Sequence, residues 1–316
     1  MTPFFIALQF LTRLKIVNQT EWSVEDFGKS VVAFPYVGLI IGLILAILYG
    51  VLSPFIPIMP LMLIIVVAEF LITGGLHADG LMDTSDGLFS GRERERKLEI
   101  MKDSRIGSFG VVAFVFVTLL KWQLLASIPS AEFIPMALIM MPLMSRWSMV
   151  FSIRSYPYAR EQGMGAAFAN LAPKHVITYN TISTFFMPIL LLLIGLVLYT
   201  LLYGAYAIFS APDVGYLVGL GVLVYATIGI FQINIVSMII TYIINRLLNR
   251  YIVKALGGTT GDTYGFVVEV TEVLLILVYS IIVSILSATV IIQLCSNSKF
   301  LIFKVLIFLE RILYLM

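Results

Sequence analysis

The sequence predicts an all-α protein, a polytopic membrane bundle of about seven transmembrane helices with room for an eighth. Three observations predict it. Apolar residues fill 60% of the 316 positions and charged residues only 12%, with a mean hydropathy of +1.03. That composition belongs to membrane proteins and not to soluble domains. The apolar residues form separate runs long enough to cross a bilayer. Most lysines and arginines fall in alternate connections between those runs. A net charge of +2 gives no reason to expect nucleic acid, and the single cysteine, Cys295, excludes an internal disulfide.

The elements follow in order. Residues 1–15 are too short to span, and the trailing Arg13 and Lys15 suit a helix lying in the interface. Charge after the apolar run, instead of before it, is also the reverse of a signal peptide. Span one covers 31–51, where Gly38 and Gly42 form a small-residue pair that favours close helix packing. Span two covers 56–73, span three 111–128, span four 134–151, span five 182–208, span six 216–247 and span seven 270–294. Spans five and six are long enough to be tilted, broken or extended past the bilayer. Residues 1–294 read as one membrane-embedded catalytic domain. Residues 295–316 form an apolar tail with Lys304, Glu310 and Arg311, an eighth span or a surface helix. The connections after spans one, three and five carry no lysine or arginine. The opposite face carries them, from Arg13 and Lys15 through Arg92–Arg105 to Arg246, Arg250 and Lys254, and the positive-inside rule makes that face cytoplasmic.

Every polar, glycine-rich segment opens on that face. In 73–110, a helix over 79–86 sets Asp79, Asp83 and Asp86 at i, i+4 and i+7, on one side. No basic residue lies between them, so the face repels itself unless a hard cation such as Mg²⁺ neutralises it beside substrate phosphates. Glu99 and Asp103 repeat the i, i+4 spacing. The bland alternative is a solvated charged loop. A second segment, 154–168, offers Arg154, Arg160, Gly163 and Gly165; a third, 257–272, offers glycines, threonines and Asp262 that suit an anion or simply start a helix. Glu269 and Glu272 stand i, i+3 at the membrane boundary. His77 sits beside the acidic face, either as a site residue or in a structural hydrogen bond. Arg146 lies inside span four with Glu69 of span two as a candidate partner, and reads either as a structural ion pair or as an arginine aimed at a phosphate. Lys121, mid-span, receives no role.

Several runs resemble one family. They are TGGLHADGLMDTSDG at 73–87, LEIMKDSRIG at 98–107, FLTR at 10–13, FPYVG at 34–38, the Ser145-Arg146 pair, YAREQGMG at 158–165 and GGTTGDTYG at 257–265. Together, and in their order along the chain, they resemble cobalamin synthase, the adenosylcobinamide-GDP ribazoletransferase family, over roughly 1–290. The resemblance implies a multi-pass enzyme of a bacterial or archaeal cytoplasmic membrane with its active site on the cytoplasmic side. It implies that adenosylcobinamide-GDP is joined to α-ribazole or its 5′-phosphate with release of GMP, and that Mg²⁺ is required. The reaction is displacement at phosphorus, which leaves a protein mainly positioning and charge stabilisation to supply. Under that reading Arg105, Arg146 and Arg160 meet phosphate oxygens, and Gly257, Gly258, Thr260, Gly261, Asp262 and Thr263 line a close turn on the substrate. Nothing in the sequence sets an oligomeric state, and a homo-oligomer stays open.

The acidic run also resembles, in part, the CDP-alcohol phosphotransferases. Asp83-Thr84-Ser85-Asp86-Gly87 fits the start of their pattern, whereas Ser90-Gly91 stands where Ala-Arg belongs, Glu95 replaces a glycine and Glu99 an aspartate. By that analogy Asp83, Asp86 and Glu99 are metal ligands and Asp103 is the base, with Asp79 an equal candidate ligand. Two other functions compete: a CDP-alcohol phosphotransferase, which these departures oppose, and a transporter using Glu69, Lys121 and Arg146. A transporter is expected to show internal repeats and midplane sites, but the chain has no repeat and its polar clusters gather at one face.

Overall fold

The computed structural model describes residues 3–17, 22–160, 163–209 and 214–296. Among them the chain is helical, with no strand and one isolated bridge. The helices are α1 (Pro3–Leu11), α2 (Val24–Lys29), α3 (Phe34–Leu52), α4 (Ile58–Thr73), α5 (Leu76–Phe89), α6 (Arg94–Ile100), α7 (Ser108–Ala126), α8 (Ile134–Ser155), α9 (Met164–Leu171), α10 (Val176–Phe209), α11 (Val214–Leu256) and α12 (Gly261–Ser296). Six stretches are long and apolar enough to cross a membrane, or seven when α4 and α5, which meet at 90°, count as one bent pair. The protein is a multi-pass membrane protein, as its composition requires.

Helix α8 is the axis. Every residue from Met136 to Ile153 is buried, and α3, α10, α11 and α12 pack round it. The Gly38/Gly42 pair brings α3 close to it: a Cβ on Gly42 would lie 2.6 Å from Ile139 Cα. The outer helices turn apolar side chains outward, including Leu63 and Val67 of α4, Val115 and Phe116 of α7, and Ile281 of α12. In a membrane that surface meets lipid, so it carries no penalty of exposure to water.

The structure departs from the sequence reading in three places. The helix ends overrun the hydropathy windows. Helices α10, α11 and α12 have 34, 43 and 36 residues; at ~1.5 Å per residue each outruns a hydrocarbon core of ~30 Å. Polar residues continue these helices where they pack against protein, and α12 begins at Gly261, so most of the glycine-rich segment is helical. Second, α1 is more than an interfacial helix, because Ile6, Leu8 and Leu11 are buried in the bundle. Third, the tail falls largely outside the described residues, which end at 296.

Candidate active site

The site begins where α4 stops. Gly74 and Gly75 have φ of 64° and 74°, left-handed values that glycine adopts without a Cβ penalty. Two in succession turn the chain through 90° into α5. Helix α5 then buries His77, Gly80, Leu81, Thr84 and Ser85 and leaves Asp79 exposed and Asp83 and Asp86 half-exposed, so the predicted acidic face exists. Its packing partner is α12, and glycine sets the distance. A Cβ on Gly80 would lie 2.6 Å from Asp262 O, and one on Gly265 2.8 Å from His77 O. Segments almost two hundred positions apart are thereby pressed together.

The start of α12 is fixed by its own threonines. Thr263 N donates to Thr260 Oγ1 at 3.2 Å and Thr260 N to Thr263 Oγ1 at 2.8 Å, a reciprocal cap that satisfies two N-terminal amides. Asp262 is therefore not the capping residue, one of the roles open to it from sequence. It instead accepts an ion pair from Arg160, Nη2 to Oδ2 3.0 Å. Arg160 arrives because its loop runs beside 257–260: Thr259 N donates to Pro157 O and Ala159 N to Thr259 O, both at 2.8 Å. Gly258 serves this pairing, since a Cβ there would lie 2.6 Å from Pro157 O. Gly257, at φ 76°, ends α11, where Arg94 Nε donates to Leu256 O at 2.9 Å. Gly261 differs from both: a Cβ on it would meet no protein atom within 4 Å. It lines a cavity of about 160 Å³ with His77, Asp79, Gly80, Gly165, Asp262 and Gly265.

The charges at this mouth are unbalanced. Asp83 feels Asp79, Asp262 and Asp86, and Arg160 as the opposing charge. Arg160 Nε is buried without a hydrogen bond, as is His77 Nε2. The donor chemistry of Asp79, Asp83 and Asp262, carboxylate oxygens in excess of cations, fits a hard divalent ion. Among the described residues no three of His, Cys, Asp or Glu form a group able to hold a metal by themselves. Such an ion would draw its other ligands from water and substrate, the usual arrangement for Mg²⁺.

The remaining candidates have other partners. Asp86 accepts from Gly107 N at 2.8 Å and Gly110 N at 2.9 Å, so both its oxygens cap the start of α7, a position a carboxylate favours. Glu99 is exposed and paired with Arg96 at 2.7 Å. Asp103 is gripped by Arg105, from Nε at 3.0 Å and Nη2 at 2.7 Å, and the guanidinium holds its carboxyl down to about 2. Its loop is anchored on α5 at both ends: Met101 packs on Gly87, and Gly107 on Asp86. Held this way, Asp103 is a poorly matched base, since a base works best with a pKa near the operating pH.

Arg146 lies deeper and is fully buried. It pairs with Glu272 and lies 3.7 Å from Glu69, while Lys121 Nζ contacts Glu272, Glu69 at 3.2 Å and Glu269 at 2.9 Å. Ser145 Oγ donates to Glu272 at 2.8 Å. The ion-pair reading of Arg146 and Glu69 thus widens to three carboxylates and two cations drawn from four helices. Lys121 has no role legible from its place in span three, yet it is the hub. The available signal was the coincidence of five intramembrane charges of compensating sign. A cavity of about 170 Å³ reaches this cluster between α4 and α7.

The chain is similar to known proteins of one family. The family model described as cobalamin-5-phosphate synthase matches residues 3–280. A protein of Desulfitobacterium hafniense named adenosylcobinamide-GDP ribazoletransferase is 34% identical over 279 residues, 88% of this chain and 96% of its own length. One of Fusobacterium nucleatum with the same name is 36% identical over 299 residues, 89% and 98% of the two chains. Another, from Acetivibrio thermocellus, is 41% identical over 188 residues, 59% and 75%. No solved structure matches the chain.

Proposed function

The chain belongs to the cobalamin-5-phosphate synthase family, and from that premise we propose how it works as an adenosylcobinamide-GDP ribazoletransferase. It joins adenosylcobinamide-GDP to α-ribazole or its 5′-phosphate and releases GMP. Neither a CDP-alcohol phosphotransferase nor a transporter is favoured, because the matching relatives carry the ribazoletransferase name over nearly their whole length. The observation that carries the site assignment is the single cavity shared by Asp79 of the acidic helix and Gly261 and Asp262 of the α12 N-terminus.

In this reading a ribose hydroxyl attacks the phosphorus next to the cobinamide, its O–P bond forms, and the bond to the GMP oxygen breaks with its electrons. The glycine-lined cavity admits the diphosphate closely. Arg160, with its unused Nε, turns toward phosphate oxygens, a charge-assisted contact. Asp79 and Asp83 would hold Mg²⁺ together with the diphosphate; when bound, the ion neutralises charge that develops on the phosphate oxygens. Arg105, whose side chain is exposed, engages phosphate and so releases Asp103, which then takes the hydroxyl proton. Asp86 and Glu99 serve the frame and not the ion. The mouth faces the cytoplasm, by the distribution of lysine and arginine.

The direct test is GMP release by the purified protein from adenosylcobinamide-GDP and α-ribazole, with Mg²⁺ present and after chelation. Turnover that needs the ion supports the reading, and turnover indifferent to chelation removes the metal from it. In a Cys295→Ser background, a Ser90→Cys variant should react with a membrane-impermeant thiol reagent only from the cytoplasmic side; labelling from outside reverses the orientation.

A further inference from the structure

A second, larger cavity, of about 590 Å³, adjoins the site and has no role in the steps above. It lies against the α4–α5 bend, and its lining includes Gln9, Phe10, Arg13, Trp22, Phe70 and Asp79. Its size is that of a small-ligand pocket, which commonly holds a few polar groups among aromatic walls. It shares Phe10, Leu76 and Asp79 with the smaller glycine-lined cavity, so one extended molecule passing Asp79 can occupy both.

Two residues of its lining each carry a polar side-chain atom that is buried without a hydrogen-bond partner among the described residues: Gln9 Oε1 and Trp22 Nε1. Buried polar atoms are nearly always satisfied, so such a pair needs an explanation. The Gln9 amide is oriented, because its Nε2 donates to Val17 O; the atom left over is therefore an acceptor. Trp22 Nε1–H is a donor only. Arg13 adds further donors at the rim, with its guanidinium against Gly74. With the Gln9 and Trp22 side chains turned toward it, a ligand meets aromatic walls, the Gln9 acceptor, donors of two kinds and, at one end, the Asp79 carboxylate.

We propose that this cavity binds the guanine base of the nucleoside diphosphate substrate, with the diphosphate running past Asp79 into the glycine-lined cavity. The proposal rests on the transferase reading for the presence of a guanosine diphosphate group. Guanine presents N1–H and N2–H to an acceptor, and O6 and N7 to donors such as arginine. The benzimidazole-type base of α-ribazole has one free ring acceptor and no N–H, and leaves Gln9 Oε1 unpaired. Adenine sets an amino donor where guanine has O6, facing the donors of Trp22 and Arg13. A buried group left unpaired is what lets a site reject an analogue.

The test is nucleotide binding to the full-length protein in detergent, followed by equilibrium dialysis and Trp fluorescence, with GMP, IMP, AMP and α-ribazole 5′-phosphate. The wild-type chain should bind GMP at least roughly tenfold more tightly than AMP, with IMP between them, and α-ribazole 5′-phosphate should not displace GMP. Gln9→Leu and Trp22→Phe should each shrink the GMP/AMP ratio to within about threefold while leaving the melting temperature close to wild type. The base series on the unaltered chain decides the matter even where a variant fails to fold. Equal binding of GMP and AMP, displacement of GMP by α-ribazole 5′-phosphate, or an unchanged ratio in both folded variants overturns the inference. Turnover without GMP preference sinks this assignment and leaves the transferase reading standing; GMP preference without turnover upholds the pocket and sinks that reading.

Discussion

Two charged regions lie within a few helical turns of each other, and they are built on opposite principles. In the buried cluster, Lys121 and Arg146 meet Glu69, Glu269 and Glu272, and each cation contacts at least two carboxylates. At the mouth, Asp79, Asp83 and Asp262 outnumber Arg160, the opposing charge felt by Asp83; both regions keep polar atoms without a hydrogen bond, Arg160 Nε and His77 Nε2 here, Arg146 Nε and Glu69 Oε1 in the buried cluster. A charge inside the bilayer is costly unless paired, so in the first region every charge has an opposite one beside it. The second keeps unpaired charge where water and substrate reach it. The difference separates frame from chemistry: a nearly balanced network holds helices together, and an excess of carboxylates takes a cation.

The largest expected effect is on stability in the buried cluster. Glu272→Ala leaves Lys121 and Arg146 short of their shared carboxylate, and removing one partner of a buried pair costs about 3–5 kcal/mol. Thermal unfolding in detergent should show a large drop in melting temperature, with lower membrane yield. A variant as stable as the parent would erase the distinction between the two regions.

The mouth should respond the other way. Asp83→Asn removes repulsion, so the protein should unfold at or above the parental temperature, while GMP release falls roughly a hundredfold or more, several kcal/mol of transition-state stabilisation. A smaller effect, on binding, is expected for Gly261→Val. No protein atom lies within 4 Å of its added Cβ, so the fold tolerates the change, and valine enters the cavity instead. KM for adenosylcobinamide-GDP should rise roughly tenfold with kcat less affected, the signature of lost uniform binding. Unchanged KM would take the diphosphate out of this cavity.

The smallest effect is a shift in pH dependence. Arg105 depresses Asp103 to about 2, so Asp103 is ionised throughout the neutral range, and the acidic limb of kcat/KM, which reports the free enzyme, lies far below neutrality. Arg105→Ala removes the hold and lets that carboxyl rise toward its ordinary value of about 3.9. The limb should move up with it, and activity should be lost earlier as pH falls. A limb that stays in place means Asp103 is not the group being titrated.

Much of this was legible before folding. Spans one to four were readable because apolar runs and glycine pairs are local, and the acidic face because i, i+4 and i+7 spacing is local too. The starts of α10 and α12 were not, since Thr260 and Thr263 begin α12 by a mutual cap that hydropathy does not register. The Arg160–Asp262 pair required two loops to run side by side, and no spacing rule connects them. The role of Lys121 was hidden for the same reason, because its carboxylates come from α4 and α12. Asp86 looked like a third ligand because sequence shows a carboxylate and not the amides of Gly107 and Gly110 that occupy it.

The chemistry happens at the mouth, where carboxylates are in excess of cations. The most direct test is the rate of GMP release as a function of Mg²⁺ concentration, for the parent and for Asp83→Asn, each verified as folded by its melting temperature. Mg²⁺-dependent release is expected of the parent and, in the variant, either no release or release that needs far more Mg²⁺. Parental turnover in folded Asp83→Asn with the same Mg²⁺ requirement would contradict it.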